Sequence, residues 1–122
     1  MKTANDPRHQ DRIKTMQEIY AWGFNKEEKP EKQSSLKIIE NIEKIDNLIT
    51  EAAPAWPLEK INKIDLAVLR LAVFELVIET KAPVKVVVDE AVEIGKEYGS
   101  ESSGSFINGV LGKLIEDHKI GY

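Results

Sequence analysis

The 122-residue chain has no cysteine, few aromatic residues and no uninterrupted apolar run that approaches the length of a membrane span. Without cysteine, neither a disulfide framework nor a thiolate metal site can form. A membrane-spanning helix needs about 20 consecutive apolar residues, and the N-terminus lacks the apolar segment of a secretory signal. These absences favour one soluble, cytoplasmic domain over residues 1–122, with no membrane contact.

Charge is acidic overall but uneven along the chain. The 17 Lys and Arg residues stand against 21 Asp and Glu, for a net charge of −4. Because nucleic-acid-binding domains are usually basic, this total argues mildly against a general nucleic-acid binder. Residues 1–33, however, hold seven basic and six acidic residues. That distribution allows a local RNA site beside an acidic surface, although charges scattered by chance would look the same.

Apolar periodicity predicts an all-α fold of about five to six helices in two packed subdomains. Apolar residues recur three and four positions apart in each segment, which is typical of helices with one buried face. The subdomains are predicted at 6–53, the N-terminal helices, and 57–120, the C-terminal helices. The predicted helices cover residues 6–23, 35–52, 63–79, 84–98 and 105–119, with a short helical turn at 57–61.

Two of these segments carry particular expectations. Residues 63–79 are apolar on almost every side, which indicates a central helix whose Arg70 needs carboxylate or carbonyl partners. Residues 84–88 alternate like a strand, but helical spacing continues to Tyr98 and a lone strand would have no partner, so we predict a helix. In the last helix, Gly109 and Gly112 each cost roughly 1 kcal/mol relative to alanine. Close packing against another helix is therefore expected there.

Side chains suited to catalysis or metal binding are sparse. Glu90, Glu93 and Glu97 share a helix face and resemble a row of carboxylate ligands. No histidine stands at helical spacing near them, so a solvated acidic face is the simpler interpretation. His9 has no evident base or nucleophile partner, and His118 lies near the chain's end. We expect no enzymatic activity, no cofactor, no metal and no small-molecule substrate.

Three parts of the sequence carry a recognisable pattern. They are RIKTMQEIYAW at 12–22, IDLAVLRLAVFEL at 64–76 running on to PVKVVVDEAVEI at 83–94, and FINGVL at 106–111. The second resembles the acidic-x-x-x-Leu-Arg-x-x-x-x-Glu-Leu helix of the NusB family and its Pro-x-Lys-Val segment. The third resembles that family's Phe-Val-Asn-Gly-Val-Leu signature, and the first is a looser match to its opening helix.

The resemblance implies a non-enzymatic transcription antitermination factor. It implies binding to boxA-type single-stranded RNA together with NusE, a ribosomal protein that doubles as a transcription factor. That complex would join the RNA polymerase antitermination complex, notably during transcription of ribosomal RNA operons. Candidate RNA-binding residues are Arg8, His9, Arg12, Lys14, Ser102 and Phe106. Candidate partner-binding residues are Asp65 and Glu75, and motif residues expected to have structural roles are Arg70, Glu90, Asn108 and Gly109.

Each candidate also has a structural interpretation. Arg8, Arg12 and Lys14 could form a solvated helix face, and Phe106 could belong to the core. Asp65 could serve as a helix-start charge, Glu75 could pair with Arg70, and Ser102 or Ser103 could cap the last helix. Asn108 is expected to hydrogen-bond backbone.

The sequence departs from the family at two sets of positions. His9, Gln10 and Asp11 stand where members often carry Arg or Lys, and Ser105 stands where Lys is frequent. A helix usual in the N-terminal half is expected to be missing. Two alternatives remain open: a protein-only helical module that has lost RNA binding, and the NusB-like domain of an RNA methyltransferase, for whose catalytic domain this chain has no room.

Overall fold

The computed structural model describes residues 6–121; Lys2, counted among the basic residues above, lies outside them. Six α-helices form the fold, and the all-α prediction is confirmed. One turn of 3₁₀-helix, Leu58–Lys60, precedes the fourth helix, which continues as a π-helical segment, Phe74–Glu79. The helices are α1 Pro7–Phe24, α2 Gln33–Glu40, α3 Ile42–Ala52, α4 Lys63–Val73, α5 Val84–Tyr98 and α6 Ser103–His118.

Capping side chains mark the starts of two helices, α1 and α4. Pro7 occupies the first turn of α1, where its missing N–H is not needed, and the Asp6 side chain accepts from the Arg8 amide at 2.9 Å. The Asn62 side chain caps α4 by accepting from the amides of Ile64 and Asp65. The segment with strand-like alternation is helical as predicted, because α5 can bury Val87, Ala91 and Ile94 against its neighbours.

The helix predicted at 35–52 is two helices, so the N-terminal half holds three helices rather than the predicted two. The break falls at Asn41, whose backbone leaves helical geometry at φ −107° and ψ 17°. Its side-chain amide donates to the Lys37 carbonyl at 2.8 Å. Asparagine competes for local backbone hydrogen bonds in this way, which explains why the apolar stripe continues while the helix does not.

Helix α4 lies at the centre, as its sequence predicted. Every residue from Asp65 to Val73 is buried, and α1, α3, α5 and α6 all pack against it. A single hydrophobic cluster runs through both halves of the chain. The division at 53–57 remains a prediction. Among residues 6–121, no helix is both long and apolar enough to cross a membrane.

The expectation for the glycines of α6 is wrong. A methyl group built on Gly109 or Gly112 would meet nothing within 4 Å, so neither glycine permits a close helix contact among residues 6–121. Asn108 beside them is exposed, and its side chain makes no hydrogen bond to the described residues, in contrast to the backbone bond expected. The outer face of α6 is therefore open.

We expect Gly109→Ala and Gly112→Ala to stabilise the protein by up to about 1 kcal/mol each, because alanine removes the backbone-entropy cost of glycine in a helix without any clash. Chemical denaturation measures the effect. Gly95→Ala is the matched control, since its added Cβ would stand 2.4 Å from Ile107 Cδ1. Stability unchanged or reduced in both α6 variants would contradict the prediction.

Candidate functional site

The cationic residues at the start of α1 have different surroundings. The Arg8 side chain is 85% exposed and pairs with Asp6 at 3.2 Å. Its hydrogen bond to the Asp6 carboxylate holds the pKa of Asp6 below its usual value. Lys14 is also exposed. Since a solvent-exposed ion pair of this kind contributes little, Arg8 and Lys14 are both available to a phosphate.

Arg12 is enclosed by carboxylates instead. Its Nε and Nη2 donate to the two oxygens of Glu75 at 2.8 and 2.9 Å, and its Nη1 donates to Glu90 Oε1 at 3.2 Å. Only 13% of the Arg12 side chain is exposed. The hydrogen bonds to Glu75 raise the pKa of Arg12 further above its usual value. Arg12 thus joins α1 to α5 and to the π-helical segment, and its charge is already matched.

His9 is buried against α5. Its Nδ1 lies 3.1 Å from Glu90 Oε1, and its Nε2 lies 3.6 Å from Glu97 Oε1. The interpretation that His9 has no partner is therefore wrong. That partner lies 81 residues away in sequence, and no periodicity along one helix could have revealed it.

A pocket of about 310 Å³ brings together residues from three parts of the chain. Trp56 is 50% exposed, and its ring meets that of Phe106 edge to face at 5.8 Å between centroids. Phe106 is only partly buried and packs against the core with one side. The lining residues are Trp56, Asp65, Ser102, Ser105 and Phe106.

Three of these residues were candidates from the sequence, Ser102 and Phe106 for RNA and Asp65 for a protein partner, whereas Trp56 was not among the candidates. Its position between Pro54 and Pro57, outside any helical periodicity, was the available signal that this large aromatic would not enter the core. Ser102 is the N-cap residue of α6, but its side chain makes no capping hydrogen bond. Its hydroxyl lies 3.3 Å from Ser100 Oγ instead.

Asp65 supplies the negative charge of this pocket. It is 5% exposed, and its Oδ1 has no hydrogen-bond partner among the described residues. Burial raises the pKa of Asp65, an effect that the Ser103 hydroxyl partly offsets. A buried carboxylate oxygen without a donor is uncommon in folded proteins, so the Asp65 carboxyl is a candidate to accept a hydrogen bond from a ligand that enters the pocket.

Asp65 and Glu75, the two candidate partner-binding residues, contact different parts of the fold. Asp65 lines the aromatic pocket and Glu75 bonds to Arg12. Both are buried, and their contact with a partner remains a prediction.

Arg70 has the carboxylate partner that its burial requires, although it is not Glu75. Its Nε and Nη2 donate to the two oxygens of Asp46 in α3, each at 2.9 Å, and its guanidinium lies 5.7 Å from the centre of the Trp22 ring. Residues five apart on a helix point about 140° away from each other. Arg70 therefore ties α4 to α3 and α1.

We expect Asp65→Asn to stabilise the fold at neutral pH by roughly 1 kcal/mol, because it removes a buried charge that lacks a full set of donors. The pKa of Asp65 is raised in the folded protein, so the folded state keeps this proton where the unfolded chain has released it. The stability contributed by Asp65 is therefore lost as pH rises from the ordinary value of 3.8 through the raised pKa.

Thermal denaturation at a series of pH values measures this effect. The advantage of asparagine should vanish near pH 3 and reach its full size at neutral pH. Glu101→Gln is the control, because Glu101 is an exposed carboxylate just before α6. This substitution should change the stability little. A gain that does not depend on pH, or a less stable variant at pH 7, would count against the account of Asp65.

The fold and the pocket together define an all-α helical-bundle protein with a pocket lined by aromatic side chains at a helix N-terminus. Residues 34–116 match the model of the NusB family, and the chain belongs to that family. A transcription antitermination protein NusB from Thermotoga sp. (strain RQ2) is 46% identical over 81 residues, covering 66% of this chain and 57% of that protein. The counterpart from Lachnoclostridium phytofermentans is 42% identical over 92 residues, covering 71% and 70%.

The chain thus spans little more than half the length of the first of these relatives. Solved structures agree on the fold over a longer stretch. The structure of T. maritima NusB superposes with a TM-score of 0.82 at 32% identity, covering 96% of this chain and 94% of that one. A structure of NusB and NusE in complex with double-stranded RNA gives a TM-score of 0.77 at 22% identity, covering 92% and 99%. The latter likeness shows the fold alone.

Proposed function

We propose that this protein is a transcription antitermination factor that binds boxA-type single-stranded RNA together with a NusE-type protein. The observation that carries the proposal is the pocket in which Trp56 and Phe106 flank the buried carboxylate of Asp65. Unpaired bases are recognised by stacking on aromatic side chains and by hydrogen bonds to their edges. This pocket offers both kinds of contact.

Each part of the pocket has a role in this proposal. Trp56 and Phe106 present faces on which a base can stack, and Asp65 Oδ1 accepts from a base amino or imino group. The uncapped N-terminus of α6 provides amides for a phosphate. Arg8 and Lys14 contact further phosphates, which position the strand without reading its sequence. His9 and Arg12 act indirectly, by holding α1 against α5.

We propose a different surface for the partner protein, because Asp65 lines the RNA pocket in this proposal and Glu75 bonds to Arg12. Phe24 is 63% exposed and meets Tyr20 edge to face at 5.0 Å. Both line a groove of about 260 Å³ that Leu58 and Glu59 close from the opposite side. We propose that the NusE-type partner binds in this groove, where the exposed Phe24 ring and the partly buried Tyr20 ring supply the apolar contact that protein interfaces favour.

The proposed role involves no catalytic step by this chain. The bound RNA and partner would join the RNA polymerase antitermination complex during ribosomal RNA transcription, which takes place in the cytoplasm. In this proposal the partner groove is formed jointly by the two groups of helices, 6–53 and 57–120. The aromatic pocket is formed by the second group and by Trp56 from the connection between the groups.

A fluorescence anisotropy titration of a boxA-type RNA and a scrambled RNA tests the proposal, with the protein alone and with its cognate NusE. We expect preference for boxA, tighter binding with NusE, and weaker binding as salt rises, by roughly 0.7 log units per phosphate contact per log unit of salt. Phe24→Ser should weaken NusE binding and leave the binding of RNA to the protein alone unchanged.

A protein-only helical module is the second candidate, because Arg12 and His9 are withdrawn into ion pairs and hydrogen bonds. That candidate predicts NusE binding with no preference for either RNA at any salt concentration. Such a result would remove the RNA role and leave the partner groove intact.

A further inference from the structure

His9, on α1, lies beside the row of glutamates on α5, for which no histidine partner was found in the sequence. Glu90, Glu93 and Glu97 follow each other at spacings of three and four, so they share one face of α5. The imidazole comes from α1 and is held among them, with 4% of its side chain exposed. A carboxylate row and an imidazole on two packed helices are the elements from which helical bundles build metal sites.

The spacing of the ligand atoms fits a metal ion. One ring nitrogen of His9 and one carboxylate oxygen from each of Glu90 and Glu93 all lie within 4.8 Å of one another. Zinc bonds of about 2.1 Å to nitrogen and oxygen in a tetrahedral arrangement set neighbouring ligand atoms about 3.4 Å apart. Small rotations of the exposed Glu93 side chain are enough to reach that spacing.

The two ring nitrogens of His9 face different carboxylates, as they do in many metal-binding histidines. With Nδ1 facing Glu90 at 3.1 Å, the other nitrogen, Nε2, lies 3.6 Å from Glu97 Oε1. Ligating histidines usually present their second ring nitrogen to a carboxylate, which fixes the tautomer and the ring orientation.

The kind of cation follows from the ligand atoms. Carboxylates of Glu90, Glu93 and Glu97 surround the imidazole from α5. Arg12 donates to Glu90 Oε1 at 3.2 Å and to both oxygens of Glu75. Imidazole selects zinc and similar transition metals over magnesium and calcium, which prefer all-oxygen sites.

We propose that His9, Glu90 and Glu93 bind one divalent transition-metal ion of the zinc type, with Glu97 orienting the imidazole. The ion joins α1 to α5 and leaves at least one coordination position to water on the exposed Glu93 side. This site shares no lining residue with the aromatic pocket. The metal proposal therefore does not depend on whether the protein binds RNA.

Isothermal titration of Zn²⁺ into the metal-free full chain, prepared without a histidine tag, tests the proposal. Co²⁺ provides a visible absorption signature of the coordination geometry. We expect one ion per chain, an increase in Tm with Zn²⁺, and no comparable effect of Mg²⁺. Glu93→Gln should weaken Zn²⁺ binding at least tenfold while leaving the metal-free Tm unchanged, because Glu93 is exposed. His9→Gln should abolish binding.

His118→Gln is the matched control, because His118 carries the only other imidazole of the chain and lies 3.7 Å from Glu51 on the surface. It should bind Zn²⁺ as the unchanged protein does. Loss of binding in His118→Gln, or full binding in Glu93→Gln, would overturn the assignment. Glu93→Gln keeps the test decisive even if His9→Gln fails to fold.

Discussion

Arg12→Ala should destabilise the protein by about 3–5 kcal/mol, the usual result of removing one partner from a buried ion pair. The substitution leaves Glu75 and Glu90 buried, at 9% and 1% side-chain exposure, without the guanidinium that binds both. The total stability of a natural domain is about 5–15 kcal/mol. The variant should therefore melt roughly 10–20 °C lower, since each kcal/mol shifts Tm by a few degrees.

A second arginine on the same helix distinguishes this cause from a general sensitivity of α1 to substitution. Arg8→Ala is the control, because the Arg8 side chain is exposed and its ion pair with Asp6 contributes little. A Tm within about 2 °C of the unchanged protein for Arg12→Ala would falsify the structural role given to this residue.

This result would change how RNA-binding experiments on α1 are read. Loss of RNA affinity in Arg12→Ala would reflect a loosened contact between α1 and α5 as much as a missing phosphate contact. Arg8→Ala and Lys14→Ala are better probes, because both side chains are exposed. Each should weaken binding modestly and reduce the salt dependence by roughly 0.7 for one phosphate contact on a single strand.

The fold could be predicted from the sequence because its signals are local. Pro7 and Asn62 mark helix starts, and apolar spacing marks the buried faces, so α1, α4, α5 and α6 were placed within a few residues. The break at Asn41 was missed because it leaves the apolar stripe in phase. The π-helical segment, Phe74–Glu79, was missed for a similar reason: it changes the phase of the helix without any change in composition.

The site was less predictable, because its contacts are distant in sequence. The bonds of Arg12 to Glu75 and Glu90 span 63 and 78 residues, and nothing in the periodicity of either helix pairs them. The resemblance supplied Ser102, Phe106 and Asp65 as candidates, and the structure brings these three together in one pocket. Trp56 completes the pocket from a segment that has no helical pattern at all.

Removing the rings that flank this pocket should cause the largest loss of RNA affinity. Base stacking on an aromatic side chain contributes about 1–3 kcal/mol. We therefore expect Trp56→Ala and Phe106→Leu each to weaken boxA-type RNA binding roughly 5- to 150-fold. Leucine keeps the apolar contact of Phe106 with the core, and Trp56 is half exposed, so both variants should remain folded with small changes in Tm.

The salt dependence and the fluorescence of the two tryptophans make this test specific. Stacking releases no counterions, so the aromatic variants should lose affinity with an unchanged salt slope, whereas Arg8→Ala should lower the slope. RNA should quench the exposed Trp56 in a Trp22→Phe background, because Trp22 is buried and lies outside the pocket. Tyr98→Ala removes another exposed ring away from the pocket and is the control. Equal losses in Tyr98→Ala and Trp56→Ala, or no quenching of Trp56, would mean that the pocket does not bind a base.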